Sequence, residues 1–333
     1  MKYIGFSFAL LLLGSLSAGC NNNPTGPGGS AWSQCEGLPD LPITGFAATG
    51  NNLVAGSYNA PLSQAYIFIS FNNGLSWSLD TTFHTKNHSP GTYYFVGTPV
   101  TFLSDAGYLF AGIAGDGGNM YVSTNGGRTW VERDTNFVQS VWCLAASRGA
   151  VLAGTGQGVF RSTDHGTSWI AANKGLSSTV SGLAVVGTSI FACTEGEGIY
   201  KSVNGAMIWA EVNTTEFDFH SLAAIAGQIF AGFPGGYSNG GVLESADNGA
   251  TWRLVDAGLA NSSVNVLCVN GSNLFAGTNE GVFLTTNMGG YWMDTSTGTS
   301  VDSSATISLF VSGSFLFAGT NDRGAWRYPV FLK

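Results

Sequence analysis

Short apolar runs alternate with Gly-rich polar turns along nearly the whole chain. In one copy, residues 158–169, the apolar Val159 and Phe160 precede a polar turn that contains Asp164 and Gly166, and a Trp ends the segment. An apolar strand, a tight turn with Gly and a second strand that begins with an aromatic residue are typical of a β-hairpin. Long amphipathic helical patterns are absent from the sequence. The pattern therefore predicts an all-β chain built from repeats.

Three features recur about every 40 residues. The hairpin pattern, called the turn motif below, occupies residues 70–77, 123–130, 162–169, 202–209, 245–252 and 285–292. A second marker, in most copies two apolar residues followed by Ala-Gly, begins at Leu53, Leu109, Val151, Ile190, Ile229, Leu274 and Leu316. Seven residues before each marker is a large apolar residue, namely Phe46, Phe102, Leu144, Leu183, Leu222, Leu267 and Leu309. Units of four short strands predict a seven-bladed β-propeller with four antiparallel strands per blade.

The last unit ends one strand short, and the first residues of the repeat region can supply the missing strand. Residues 32–38 align with 169–176 and with 252–259, since each segment begins with Trp and ends with Gly-Leu. An N-terminal strand that joins the last blade would close the ring and leave no mismatched edge. The propeller is therefore predicted to occupy residues 31–333.

The turn motif resembles the Asp-box, or BNR repeat, of sialidase-like propellers, whose pattern is Ser-x-Asp-x-Gly-x-Thr-Trp. The third position holds Asn72, Asn125, Asp164, Asn204, Asp247 and Asn287. Oxygens of these side chains can accept hydrogen bonds from N–H groups of their own turn. The copy at 202–209 departs from the pattern, with Ala206, Met207 and Ile208 in place of Gly-x-Thr. The resemblance, shared with photosystem II assembly-factor and sortilin-type propellers, implies that these six residues form turns and do not catalyse.

The N-terminus resembles a bacterial lipoprotein signal. An apolar run over residues 6–13 is too short to span a bilayer, and small residues precede Cys20. Residues 1–19 are predicted to be the signal peptide, Cys20 the lipidated residue and 20–30 a flexible tether. Leu16 stands four residues before the cysteine where the family has Leu at three, so ordinary secretion is the alternative. The expected location is the bacterial cell envelope, in the periplasm or at the outer membrane or surface.

Composition excludes some partners and cofactors. The chain carries 20 acidic and 12 basic residues, so its surface should repel nucleic acid. Cys35, Cys143, Cys193 and Cys268 have no CxxC spacing and fall in different predicted blades, which favours buried free thiols over disulfides. The four histidines do not form a metal-binding pattern. The sequence predicts no metal, no cofactor and a monomer.

An enzymatic function is the alternative to a binding function. The resemblance to sialidases implies an arginine triad, a Tyr nucleophile and an early Arg-Ile-Pro motif, and this set cannot be found. Other glycosidases need two carboxyl groups about 5–10 Å apart. The candidates are Glu216, Asp218, Glu280 and Asp322. Related xyloglucan-hydrolysing enzymes place their cleft between two propellers, whereas one is predicted here.

The leading hypothesis is a non-catalytic binding or scaffold propeller, and an envelope assembly factor is a further alternative. The predicted strand entrances near the channel are Thr44, Val100, Trp142, Ser181, His220, Asn265 and Ile307. Loops longer than the repeat requires add aromatic residues near 93–95 and 233–240. The candidate contacts to a glycan, peptide or protein are Tyr93, Tyr94, Trp142, His220, Tyr237 and Arg323, with Phe219 as a further aromatic candidate.

Overall fold

The chain forms seven four-stranded antiparallel sheets arranged as the blades of a β-propeller. This computed structural model describes residues 32–59, 64–84, 98–114, 119–133, 137, 140–213, 217–235, 240–259, 262–297, 299 and 301–330. The described residues contain 28 strands and no helix. Neighbouring innermost strands contact each other all the way around, including the first blade with the last. The predicted seven-bladed β-propeller is therefore confirmed.

Each blade has four strands, which are given below from the innermost, next to the channel, to the outermost; the strand numbers follow the order of the chain. Blade 7 takes β1 (Ser33–Gln34) as its outermost strand. Blade 1 consists of β2 (Ile43–Thr49), β3 (Asn52–Asn59), β4 (Gln64–Ser70) and β5 (Ser78–His84). Blade 2 consists of β6 (Thr98–Asp105), β7 (Tyr108–Ala114), β8 (Asn119–Ser123) and β9 (Val131–Arg133). Blade 3 consists of β10 (Val141–Ser147), β11 (Ala150–Thr155), β12 (Gly158–Ser162) and β13 (Ile170–Ala171).

The remaining blades follow the same order. Blade 4 consists of β14 (Val180–Val186), β15 (Ser189–Thr194), β16 (Gly198–Ser202) and β17 (Ala210–Asn213). Blade 5 consists of β18 (Ser221–Ile225), β19 (Gln228–Phe233), β20 (Gly241–Ser245) and β21 (Arg253–Leu254). Blade 6 consists of β22 (Val264–Asn270), β23 (Asn273–Thr278), β24 (Gly281–Thr285) and β25 (Met293–Asp294). Blade 7 begins with β26 (Thr306–Ser312), β27 (Phe315–Thr320) and β28 (Ala325–Pro329).

The N-terminal strand closes the ring, as the alignment of residues 32–38 predicts. Strand β1 pairs antiparallel with β28, with Ser33 opposite Arg327. Just before β1, the buried Trp32 lies with its ring 5.1 Å from that of Tyr328. Its indole Nε1 donates to the carbonyl oxygen of Thr295 in blade 6, at 3.0 Å. The first described residue of the chain thus contacts both the last blade and the blade before it.

The recurring Ala-Gly marker is explained by close packing between the two inner strands. Marker Gly154 is opposite Cys143, and a Cβ at Gly154 would lie 2.3 Å from the Cys143 sulfur. Blade 4 reverses the pair, because Cys193 replaces the marker glycine and Gly182 is opposite it. A Cβ at Gly182 would lie 2.7 Å from the Cys193 sulfur. The departure of the fourth marker is therefore compensated on the neighbouring strand.

The turn motifs share one hydrogen-bond pattern. In blade 3 the Ser162 hydroxyl donates to Asp164 Oδ1 at 2.8 Å, and Ser168 N–H donates to the same oxygen at 2.9 Å. An equivalent backbone N–H bond to the third-position side chain occurs in the other five motifs. Ala206 keeps the turn in blade 4, with φ of 73° and its N–H donated to Ser202 Oγ at 3.1 Å. The oxygens of the third-position side chains therefore accept hydrogen bonds within their own turns.

At pH 7 we expect Asp164→Ala to lower the free energy of unfolding by about 1 kcal/mol, and Asp164→Asn to lower it less because the amide oxygen still accepts the turn's hydrogen bonds. Hydrogen bonds from Ser168, first its hydroxyl and then its N–H, lower the pKa of Asp164 from 3.8 to about 2. Because the folded-state pKa is depressed, this stabilisation is present above about pH 4 and is lost as pH falls towards 2. Urea denaturation at pH 7 and pH 3 measures both effects. Equal losses for Asn and Ala at pH 7 would contradict the turn role.

Three glycines bring the outer segment of one blade against the turn motif of the next. Trp292 N–H donates to the carbonyl oxygen of Ala257 at 2.8 Å, and the same bond joins Trp77 to Glu36 and Trp209 to Lys174, both at 2.9 Å. The residue after each acceptor is a glycine with positive φ. A Cβ on these glycines would lie 2.2–2.4 Å from the Trp carbonyl oxygen; they are Gly37, Gly175 and Gly258. Only glycine fits this blade junction without displacing backbone.

Candidate functional site

The central channel contains a cavity of about 500 Å³ that residues from all seven innermost strands line. The large apolar residue of each repeat is opposite the marker alanine of the next strand, for example Leu183 opposite Ala192. All seven of these apolar residues line the cavity: Phe46, Phe102, Leu144, Leu183, Leu222, Leu267 and Leu309. His220 adds an imidazole to this wall. The wall also contains polar residues such as Thr101 and Ser181, and a cavity of this size that combines apolar side chains with polar groups is typical of a binding site.

A bulge opens the innermost strand in six of the seven blades. In blade 3, for example, the pairing shifts between Val141 and Cys143, so that Trp142 has no partner of its own across the strand. Equivalent shifts occur at the start of β2, β6, β14, β22 and β26. Bulges redirect side chains at the ends of barrels and near sites. The predicted strand entrances therefore coincide with irregular backbone at one end of the channel.

Polar groups at this end of the channel join neighbouring blades. The Ser181 hydroxyl donates to the carbonyl oxygen of Phe219 at 2.5 Å. The Ser308 hydroxyl donates to Ile43 at 2.6 Å, and the amide of Asn265 donates to Thr306 at 3.1 Å. Each acceptor is at or next to the start of the innermost strand of the following blade. These side chains hold the ring together around the channel entrance.

The two ends of the ring differ in charge. We call the connections between second and third strands and between blades the loop face, and the turn motifs with the hairpins between first and second strands the turn face. Described charged residues of the loop face are nine acidic, Glu36, Asp40, Glu195, Glu197, Asp218, Asp256, Glu280, Asp302 and Asp322, and two basic, Lys174 and Arg323. Those of the turn face are Arg128, Arg148, Asp164 and Asp247. The negative charge of the protein is therefore concentrated on the loop face.

A carboxylate pair and an imidazole interact where blades 4 and 5 meet. Burial and the nearby charge of Asp218 both raise the pKa of Glu195. Burial lowers the pKa of His220, and Asp218 opposes that shift. His220 also lines the channel. At the edge of the channel, the imidazole of His220, whose lowered pKa favours its neutral form, therefore lies near the carboxyl groups of Glu195 and Asp218.

Two of the predicted catalytic carboxylates have hydroxyl partners within their own blades. Ser262 Oγ donates to Glu280 Oε2 at 2.9 Å, and Ser304 Oγ donates to Asp322. Ser177 Oγ donates to Glu197 in the same way, at 3.1 Å. Each bond ties the connection after the second strand to the segment that precedes the innermost strand. Glu280 and Asp322 thus contribute to loop structure, and Glu216 lies outside the described residues.

The predicted contact residues fall in three groups. His220 lines the channel cavity, Trp142 lies in the bulge at the start of β10 and does not line the cavity, and Arg323 is exposed between β27 and β28. Tyr93, Tyr94, Tyr237 and the lipidation residue Cys20 lie outside the described residues. The prediction that Phe219 contacts a partner was wrong, because its side chain is fully buried against Phe217 and Phe233.

The described chain shows few other chemical groups that could react. Its four cysteines are unpaired, and burial raises the pKa of Cys35, Cys193 and Cys268 to about 12. Thiols with such a high pKa are poor nucleophiles. Among the described residues, no cluster of three or more His, Cys, Asp or Glu is arranged to hold a metal. The same residues include no helix with the length and hydropathy for a membrane span.

Comparison with solved structures supports the propeller fold. The chain is 17% identical to YCF48 bound to D1 peptide, with a TM-score of 0.68 over 90% of this chain and 97% of that one. YCF48 from Cyanidioschyzon merolae gives 0.68 at 12% identity, with coverages of 90% and 99%. An ancestral GH74 enzyme gives 0.64 at 15% identity, with 87% of this chain covering 48% of that one.

The extracellular domain of BT4673 from B. thetaiotaomicron gives a TM-score of 0.62 at 13% identity, with coverages of 89% and 40%. No protein-family model matches the sequence, and neither does any curated protein. These identities are low, so the likeness shows the β-propeller fold and no specific activity.

Proposed function

We propose that this chain is an exported, non-catalytic propeller of the Asp-box repeat type that binds a peptide or protein partner on its loop face. Residues 1–19 would act as the signal peptide, and a lipid at Cys20 would hold the protein at a bacterial envelope membrane. The observation that carries the proposal is the channel cavity, whose lining reaches His220 and Ser221 at the loop-face end of the ring, where carboxylates are concentrated. The YCF48 structure with a bound D1 peptide supports a peptide ligand at the level of fold.

The chemistry of the site defines the partner. An apolar side chain can enter the cavity between residues such as Phe102 and Leu183. Lys or Arg residues that flank it would meet the carboxylates of Glu195 and Asp218. Electrostatic attraction of this kind speeds association and weakens with salt. The expected ligand is a basic peptide segment with one apolar anchor residue.

We expect selection of peptides on the full chain to enrich such segments. For a selected peptide, the double variant Glu195→Gln/Asp218→Asn should weaken binding by about tenfold, because two weakly screened charge contacts contribute about 0.5–1 kcal/mol each. Asp164→Asn/Asp247→Asn is the matched control, since it removes the same number of charges, two, from the turn face. Titration calorimetry at low and high salt measures both. Equal losses in the two variants would contradict a loop-face site.

A glycoside hydrolase is the second candidate, favoured by the GH74 neighbour and the carboxylates of the loop face. A panel of glycans incubated with the full chain separates it from the binding proposal. If a glycan is turned over, and if Glu216→Gln or Asp322→Asn abolishes that turnover, the chain is an enzyme and the binding proposal is wrong. We expect no turnover, because the Ser262 and Ser304 hydroxyls engage Glu280 and Asp322 within their own blades. An envelope assembly factor would instead bring down its client from solubilised membranes.

A further inference from the structure

The exposed apolar side chains avoid the loop face throughout the described part of the chain. Six of the large ones lie in turn motifs: Phe71, Leu75, Val203, Met207, Ile208 and Tyr291. The other five lie on fourth strands: Leu79, Val131, Ile170, Leu254 and Met293. Val203 is 64% exposed and Tyr291 is 57% exposed. Apolar residues at such positions in a turn need a reason, because Thr occupies the position of Val203 in three of the other motifs.

The chain also enters the ring on the turn face. Trp32 occupies the motif position at which every other blade leaves its turn and starts its fourth strand. Eleven residues, 21–31, separate it from Cys20, and a chain of that length spans at most about 36–40 Å. Five of the seven innermost strands have seven residues, a length that separates the two faces by about 20 Å. A lipid at Cys20 would therefore hold the turn face nearer to the bilayer than the loop face.

Charge favours the same orientation. The described turn face carries two arginines and two aspartates, whereas the loop face has an excess of seven carboxylates. Both turn-face aspartates are ionised, because hydrogen bonds within their own motifs lower their pKa to about 2, and the two arginines balance their charge. Bacterial envelope membranes contain anionic lipid, which repels an acidic surface and tolerates a neutral one. The acidic face would then point away from the membrane towards soluble partners.

We infer that the turn face rests on a lipid surface, with the apolar side chains of blades 1, 4 and 6 in the headgroup layer. Interfacial binding of this kind requires apolar residues that enter the boundary by about 5–10 Å. The clusters lie on well-separated blades, so contact at all of them orients the ring flat on the bilayer. The channel entrance is then presented on the opposite side. This inference rests on the proposed function, because the anchor at Cys20 would supply the strength of membrane binding. The turn-face residues would determine the orientation of the ring.

The test reads the environment of each face in the full chain on vesicles of phosphatidylethanolamine and phosphatidylglycerol. Val203→Cys and the matched loop-face variant Asn279→Cys are labelled with an environment-sensitive fluorophore. The four described native thiols give little background because burial raises their pKa, and the unsubstituted chain measures what remains, including any label on Cys20. We expect the label at 203 to shift to shorter wavelength and to be quenched several-fold more strongly by lipid-borne quencher. The label at 279 should respond to aqueous iodide.

Each outcome decides the inference. Equal lipid quenching at both positions, or stronger quenching at 279, would overturn it. A label at 203 that is shielded without vesicles points to a second copy or a protein partner on the turn face and overturns it too. Mass spectrometry of Cys20 reports the anchor separately. If Cys20 is unmodified, the same labels are measured with excess vesicles, and a label at 203 that does not respond to lipid overturns docking.

Discussion

Gly258→Ala is expected to lower the free energy of unfolding by about 3 kcal/mol. The residue has φ of +97°, which disfavours any L side chain by about 1–2 kcal/mol. The new Cβ would also lie 2.2 Å from the carbonyl oxygen of Trp292, and forced overpacking costs about 1–3 kcal/mol. The backbone would have to move apart, which lengthens the 2.8 Å bond from Trp292 N–H to Ala257. Urea denaturation followed by Trp fluorescence measures the loss.

Gly271→Ala is the matched control for this effect. Gly271 has φ of +60°, but no atom lies within 4 Å of a Cβ built on it. The equivalent hairpin position already holds alanine in two blades, Ala106 with φ of 49° and Ala226 with φ of 51°. The control should therefore lose at most about 1 kcal/mol. Similar losses at 258 and 271 would show that backbone conformation dominates and that the junction between blades 5 and 6 is loosely packed.

Trp32→Ala is expected to lower the free energy of unfolding by about 3–5 kcal/mol, the range for removal of a buried Trp or Phe. The variant would lose the indole bond to Thr295 and the packing against Tyr328, and so weaken the closure of the ring. Hydrogen exchange should accelerate most in blade 7, where β28 would lose the support of β1. Exchange in blade 3, on the far side of the ring, should change least.

Trp130→Ala serves as the comparison, because Trp130 occupies the same motif position in blade 2. Its indole Nε1 donates to Gly127 within its own turn, at 2.9 Å. The loss of protection should then centre on blade 2 and leave blade 7 unaffected. If Trp32→Ala reduces hydrogen-exchange protection in blade 7 no more than Trp130→Ala does, closure by the N-terminal strand contributes little to stability.

The fold could be predicted because every blade repeats the same local requirements. A large apolar residue such as Leu183 and a marker such as residues 190–193 recur at a fixed spacing, and each blade must bury its faces against its neighbours. The N-terminal closure followed from the shared Trp and Gly-Leu pattern. These features depend on short-range sequence, which repeats make visible.

The site was harder to predict because it depends on contacts between blades. Glu195 and Asp218 lie 23 positions apart, in connections of two different blades, and only the closed ring brings them together. Their place at the same end of adjacent repeats was the available signal. Phe219 looked like a contact residue because its position in the repeat is next to the entrance, but the strand directs its side chain into the core. Blade 5 lacks the bulge that the other six innermost strands share, so the spacing of the repeat could not show which way the Phe219 side chain points.

The pairing of β1 with β28 determines the order in which the blades can be completed during folding. The strand that is synthesised first has no partner until the final residues leave the ribosome, so six blades can assemble while the seventh is still incomplete. An interrupted or truncated chain would keep an open seam with unpaired backbone groups. Such a seam is a template for pairing with the edge of another chain, so an incomplete molecule would aggregate more readily than the closed ring.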